Sequence, residues 1–320
     1  MAKTTRLAKT LLRLLFPVFL LIIVGVAGAS VWFTLQVSDP PSAHYLVTPE
    51  KYGQLSSRAA QVTEETWTNR DGSTSRGWLL RGSDNAPGVI LFHKYGADRS
   101  HILNLGVKFN ESTNFTVLMP DLRAHGENPS VKNTSFGGCE SEDAMAAVEF
   151  LRGLKNSNQI TIVGKDIGVY GVELGALAAL NVASKDKSIK AIALDSVPRD
   201  SDELLTQTVG RRFPFASSVT TKLAKLGTYL YYFDGCYNRE ASCDVARRVE
   251  NRSVLLIAGY DAPEFQDSTT KLAKCFGSSN RLESKFDLSP SGFSIVNSSM
   301  EQSEAYDQRV IDFFRRGLAE

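Results

Sequence analysis

Two glycines four positions apart, Gly171 and Gly175, constrain this chain more than any other feature. They frame Glu173 in Gly171-Val172-Glu173-Leu174-Gly175, with an apolar run at 167–170 before it and an Ala-rich run at 175–184 after it. The first run reads as a strand buried on both faces and the second as a helix. A strand that passes into a helix through two glycines turns sharply, because glycine lets the two backbones approach closely. Such a turn displays its central residue at the tip, and here that residue is a glutamate.

The rest of the chain repeats the same alternation. Segments 62–68 and 76–81 flank Asn69-Arg70-Asp71-Gly72, a turn that favours a hairpin. Strands are expected at 88–93, 115–120, 189–194, 253–258 and 282–288, and helices at about 99–110, 140–154 and 305–318. This predicts an α/β fold: eight strands, mostly parallel, with helices on both faces. Residues from about 199 to 252 break the pattern. They contain the cluster Tyr229, Tyr231, Tyr232 and Phe233 and are expected to form a lid-like insertion over the carboxyl ends of the strands, or else peripheral packing.

The first residues are of another kind. Lys3, Arg6, Lys9 and Arg13 precede an uncharged stretch from Leu14 to Leu35, about the 20 residues that a bilayer-spanning helix needs. The expected organisation is a cytoplasmic basic tail at 1–13, a transmembrane signal anchor at 14–36, a linker at 37–60 and an extracytoplasmic domain at 61–320. Pro17 is expected in the first helical turn. A cleaved signal peptide is the competing reading, since Ala27-Gly28-Ala29 resembles a cleavage site. Four cysteines fall beyond this segment; Cys236 with Cys243 and Cys139 with Cys275 are one pairing, and free buried thiols are another. The formal net charge of +1 argues against a nucleic-acid partner. No spacing calls for a metal or a cofactor.

Five segments now stand in a recognisable order. They are His93-Lys94-Tyr95-Gly96 with Arg99, Asp121-Leu122-Arg123-Ala124-His125-Gly126, the Gly171–Gly175 frame, Leu194-Asp195-Ser196, and Ile257-Ala258-Gly259-Tyr260-Asp261. Together they make residues 62–318 resemble the α/β-hydrolase superfamily, particularly bacterial esterase- or peptidase-like members with an N-terminal anchor. The resemblance implies a nucleophile elbow at Glu173 and a catalytic acid at Asp261. It also implies an oxyanion pocket formed by His93, Lys94, Tyr95 and Leu174. A further frame, Gly164-Lys165-Asp166-Ile167-Gly168, lies about two helical turns too far from the following strand to serve.

The chemistry of the triad does not follow the resemblance. Its members carry Ser, Asp or Cys where Glu173 stands, and their catalytic His falls in the loop after the last strand, where this chain has Phe293. The four histidines are His44, His93, His101 and His125, so none follows residue 125. An ester formed on Glu173 would lack the base that activates water for its release. One rescue is expected to be possible, an acid–base pair of Glu173 with His93. The non-catalytic alternative has the carboxylate held by the amides that would otherwise form the oxyanion hole, filling the anion site and blocking chemistry there, with Lys94 as an ion-pair partner. Two functional readings follow. One is a membrane-tethered domain with lost chemistry that binds a small acyl ligand or a protein. The other is an active hydrolase of ester, thioester or amide bonds, centred on Glu173.

Overall fold

The computed structural model describes residues 2–41, 45–54, 56–127, 129–215, 217–233 and 235–318. Its centre is an eight-stranded sheet of β1 (Thr63–Thr68), β2 (Thr74–Leu80), β3 (Ala86–Phe92), β4 (Thr116–Pro120), β5 (Val163–Val172), β6 (Ile189–Asp195), β7 (Ser253–Gly259) and β8 (Arg281–Leu288), in the order β1-β2-β4-β3-β5-β6-β7-β8. The hairpin partners β1 and β2 are antiparallel, as are β2 and β4; every other pair is parallel. The expected α/β architecture is present.

The helices are α1 (Ala2–Ser38), α2 (Pro49–Tyr52), α3 (Leu103–Thr113), α4 (Gly138–Gly153), α5 (Leu174–Lys185), α6 (Ser201–Arg212), α7 (Ser217–Tyr231), α8 (Ser242–Ala246), α9 (Pro263–Leu272) and α10 (Met300–Leu318). Alternate residues of a strand point to opposite faces. Ile90 and Phe92 therefore join a core with α4, α5 and α9, while Val89 and Leu91 join a second core with α3 and α10. The closing helix α10 buries Val310, Phe313, Phe314 and Leu318, each contributing about 1.5–3 kcal/mol.

Two expectations about the periphery are corrected, the place of Pro17 and the cysteine pairing. Pro17 lies inside α1, not in its first turn, because the helix continues back through the basic segment, which holds no helix-breaking residue. Several described residues of the expected linker at 37–60 pack on the domain. Val37 and Ser38 are buried, Tyr45, Val47 and Tyr52 pack on the second core, and the Tyr45 hydroxyl donates to Asp121 at 3.0 Å. The disulfides join Cys139 to Cys236 and Cys243 to Cys275. Sequence proximity fails here because the lid runs back across the start of α4. Gly138 lies so close to the Cys236 carbonyl that an added Cβ would sit 1.7 Å from it, which sets Cys139 beside Cys236. Cys243, on α8, is left facing Cys275 beyond α9.

Candidate functional site

The glycine frame is demanded by the backbone. A Cβ on Gly171 would lie 2.2 Å from the Gly175 carbonyl, and one on Gly175 would lie 2.5 Å from that of His93. Between them Glu173 takes φ 51° and ψ −106°, a conformation that costs a non-glycine residue about 1–3 kcal/mol. The elbow at the end of β5 is thus built in full, strain included. Leu174 opens α5 with its side chain buried.

Glu173 is completely buried, and both of its oxygens are engaged. The Tyr95 amide donates to Oε2 at 2.9 Å, and the Arg211 guanidinium donates to Oε1 at 2.6 Å. Tyr95 lies in the loop after β3, at the position where the family resemblance places an oxyanion-hole amide. The carboxylate therefore occupies the anion site itself. A helix N-terminus favours negative charge at this spot. Arg211 comes from α6 of the insertion and had no sequence signal: it is one of two adjacent arginines in a segment that fits no repeat.

Lys94 does not pair with Glu173. Its Nζ donates to the Phe293 carbonyl at 2.5 Å and stands 4.1 Å from the centre of the Phe293 ring. Arg211 outreaches it and takes the carboxylate. Burial lowers the Lys94 pKa, against the opposing pull of Glu173, while the Arg211 charge lowers it further. Asp261, in the turn after β7, accepts from the Ser291 amide and hydroxyl, both at 2.9 Å. Asp195 accepts from the Gly292 amide at 2.8 Å and from the Tyr306 hydroxyl at 2.6 Å. The loop carrying Phe293 is thereby clamped by both acids, with the His101 ring 3.2 Å from the Gly292 carbonyl.

The described histidines, His93, His101 and His125, bond to backbone groups. His93 Nε2 accepts from the Leu122 amide, which leaves Nδ1–H to donate to the Lys94 carbonyl. It makes no hydrogen bond to Glu173, so the acid–base pair is not formed. His125 does the same between the Gly96 amide and the Arg123 carbonyl. His44 lies outside the described residues. Burial pushes His101 and His125 down to about 4 from 6.5 and holds His93 well below that value. The unfolded chain therefore takes up these protons first. Stability that is full above pH 6.5 is lost as the pH falls from 6.5 towards 4. Asp121, Asp143 and Asp195, pushed up to about 6 by burial, act oppositely: the folded chain holds their protons, so acid relieves their burial between pH 6 and 3.8. His125→Asn is expected to flatten the fall of Tm between pH 6.5 and 4; an unchanged slope would remove His125 from the account.

The Arg211–Glu173 pair can be measured directly. Arg211→Ala strands a buried carboxylate and is expected to destabilise the chain by about 1–3 kcal/mol, the half-exposed guanidinium moderating the loss. Adding Glu173→Gln should return most of it, with a coupling of roughly 1–2 kcal/mol in a double-mutant cycle; additive effects would show that the pair carries no energy.

Strand order, elbow and closing loop define the class of architecture: the chain has the α/β-hydrolase fold. Among solved structures it is similar to the esterase Pf2001 of Pyrococcus furiosus, with 22% identity and a TM-score of 0.62 over 88% of this chain and 97% of that one. It is also similar to the enol-lactonase of Burkholderia xenovorans, with 17% identity and a TM-score of 0.52 over 78% of this chain and 99% of the other. A curated relative, the thiohydrolase aneE of Aspergillus aculeatus, is 28% identical over 123 residues, which is 38% of this chain and 37% of that protein. The chain thus matches little more than a third of that relative's length. No family model matches the chain.

Proposed function

We propose that this chain is a membrane-tethered α/β-hydrolase-fold domain that binds an acyl-type ligand or a protein partner at a site closed to standard serine-hydrolase chemistry. The observation that carries the reading is the Glu173 carboxylate held in the anion site by the Tyr95 amide and Arg211. Each oxygen accepts a hydrogen bond, one of them from a guanidinium, which fixes the carboxylate in place and lowers its nucleophilicity. The apolar helix Arg13–Ser38 is long enough to cross a bilayer. With the basic residues before it, this supports a cytoplasmic N-terminus. Two disulfides support placing the domain in an oxidising compartment such as a bacterial periplasm or cell surface.

A second reading has its own support. The Lys94 amine sits against Phe293, where a catalytic histidine would stand, with its pKa lowered by burial. If Arg211 withdrew, Glu173 could attack an acyl carbon and expel an alcohol or thiol protonated by the Lys94 ammonium. The neutral amine would then take a proton from the water that hydrolyses the acyl–Glu173 anhydride. The compared proteins named as esterase, lactonase and thiohydrolase lend this reading weight.

The test is hydrolysis of short-chain esters, thioesters and lactones by the full-length chain in detergent. The expected result is no turnover above that of Glu173→Ala. Turnover lost in both Glu173→Ala and Lys94→Met would replace the binding reading with the catalytic one.

A further inference from the structure

Among the described side chains of α1, residues 13–26 are exposed throughout, and the uncharged part of that run, 14–26, stands clear of the domain. At 1.5 Å per residue that is about 20 Å of helix, while the hydrocarbon core of a bilayer is about 30 Å thick. The remaining ~10 Å of span falls on residues 27–33. The lid docks around this stretch. Gly227 of α7 lies against α1 so closely that a Cβ would come within 2.1 Å of the Ser30 carbonyl. The Thr34 hydroxyl donates to the Ala224 carbonyl at 2.8 Å. Phe213, just beyond α6, packs its ring on Trp32 and Phe33, with centroids 6.4 and 5.3 Å away.

The outer side of α7 is apolar. Val219, Leu226, Leu230 and, past the helix end, Phe233 recur along one face of the helix, and all are exposed, with Tyr229 beside them and Phe215 just before the helix. Thr220, Ala224, Gly227 and Thr228 occupy the inner side. Water-facing helices do not present such a stripe without a reason. Lys222, on the same face, can reach headgroups with its amine while its stem lies in the apolar layer.

We propose that α7 lies in the membrane interface alongside α1, with this face against lipid, so that the lid is a second membrane element. The claim rests on α1 being a span. A cavity of about 270 Å³, bordered by Gln36, Val37, Asp39, Tyr95, Arg211 and Arg212, opens where α1 leaves the bilayer. Bilayer contact at α7 therefore bears on the neighbouring α6, whose Arg211 holds Glu173.

The test uses the full-length chain in phosphatidylcholine–phosphatidylglycerol vesicles, with and without brominated acyl chains that quench indole fluorescence. Leu226→Trp is compared with Ile160→Trp, an exposed position three residues before β5 and so beyond the end of that strand opposite the elbow; native Trp32 reports on the span. Leu230→Trp serves as a second lid probe. The expected result is quenching of the lid indole comparable to that of Trp32, with none at position 160. A lid indole unquenched at both lid positions while Trp32 is quenched overturns the proposal and leaves the span intact. Trp32 and the lid indole both unquenched would overturn the span, and the proposal with it.

Discussion

The double substitution Glu173→Ser/Phe293→His is expected to turn a silent chain into an esterase, with a rate about a thousandfold above the parent and above either single substitution. The elbow already holds position 173 at the φ and ψ of a displayed residue, and the Tyr95 amide already points into the anion site. Removing the carboxylate frees that amide for the oxyanion of a tetrahedral intermediate, an interaction worth several kcal/mol when preorganised. Asp261 holds the loop two residues before position 293, through the Ser291 amide and hydroxyl, and the expected rate requires it to receive the Nδ1–H of the new imidazole. Nucleophile and base act as a unit, so each single change alone should stay at background. Rates of p-nitrophenyl acetate and butyrate hydrolysis by the full-length variants decide the matter. A folded but silent double variant would mean that pocket as well as triad has been lost.

Cys139→Ser/Cys236→Ser is expected to cost about 3–5 kcal/mol in chemical denaturation, the largest stability effect among the substitutions considered. The bridge closes a stretch with a sequence separation of 97, and the entropy removed from the unfolded chain grows with loop length. It also ties the end of the lid to the start of α4. Its loss should admit proteases between Phe233 and Asn238 under native conditions, with Cys243→Ser/Cys275→Ser showing a smaller change because its separation is 32. Equal losses for the two bridges would place the stabilisation in local contacts, not in loop closure.

The parts of the molecule readable in advance share one property: they are set by short stretches of chain. The buried strands, the Asn69–Gly72 turn, the closing helix with Val310, Phe313 and Phe314, and the glycine frame each carry their own periodicity or steric demand. The glutamate at 173 and the phenylalanine at 293 were legible for the same reason, as single positions in recognisable loops. Arg211, the cysteine pairing and the contact of Lys94 with Phe293 were not legible. Each joins segments whose separation along the chain says nothing of their separation in space.

The sequence by itself determined the α/β sheet, the elbow and the apolar first helix, because local backbone sterics and hydrophobic period act residue by residue. Only the tertiary structure decided what holds the glutamate. Folding carries the lid back over the strand ends, where a buried carboxylate must find donors or pay for its desolvation. The Tyr95 amide and Arg211 were the donors that the packed chain brought within reach, and the same folding laid α7 against the first helix with its apolar side turned outward.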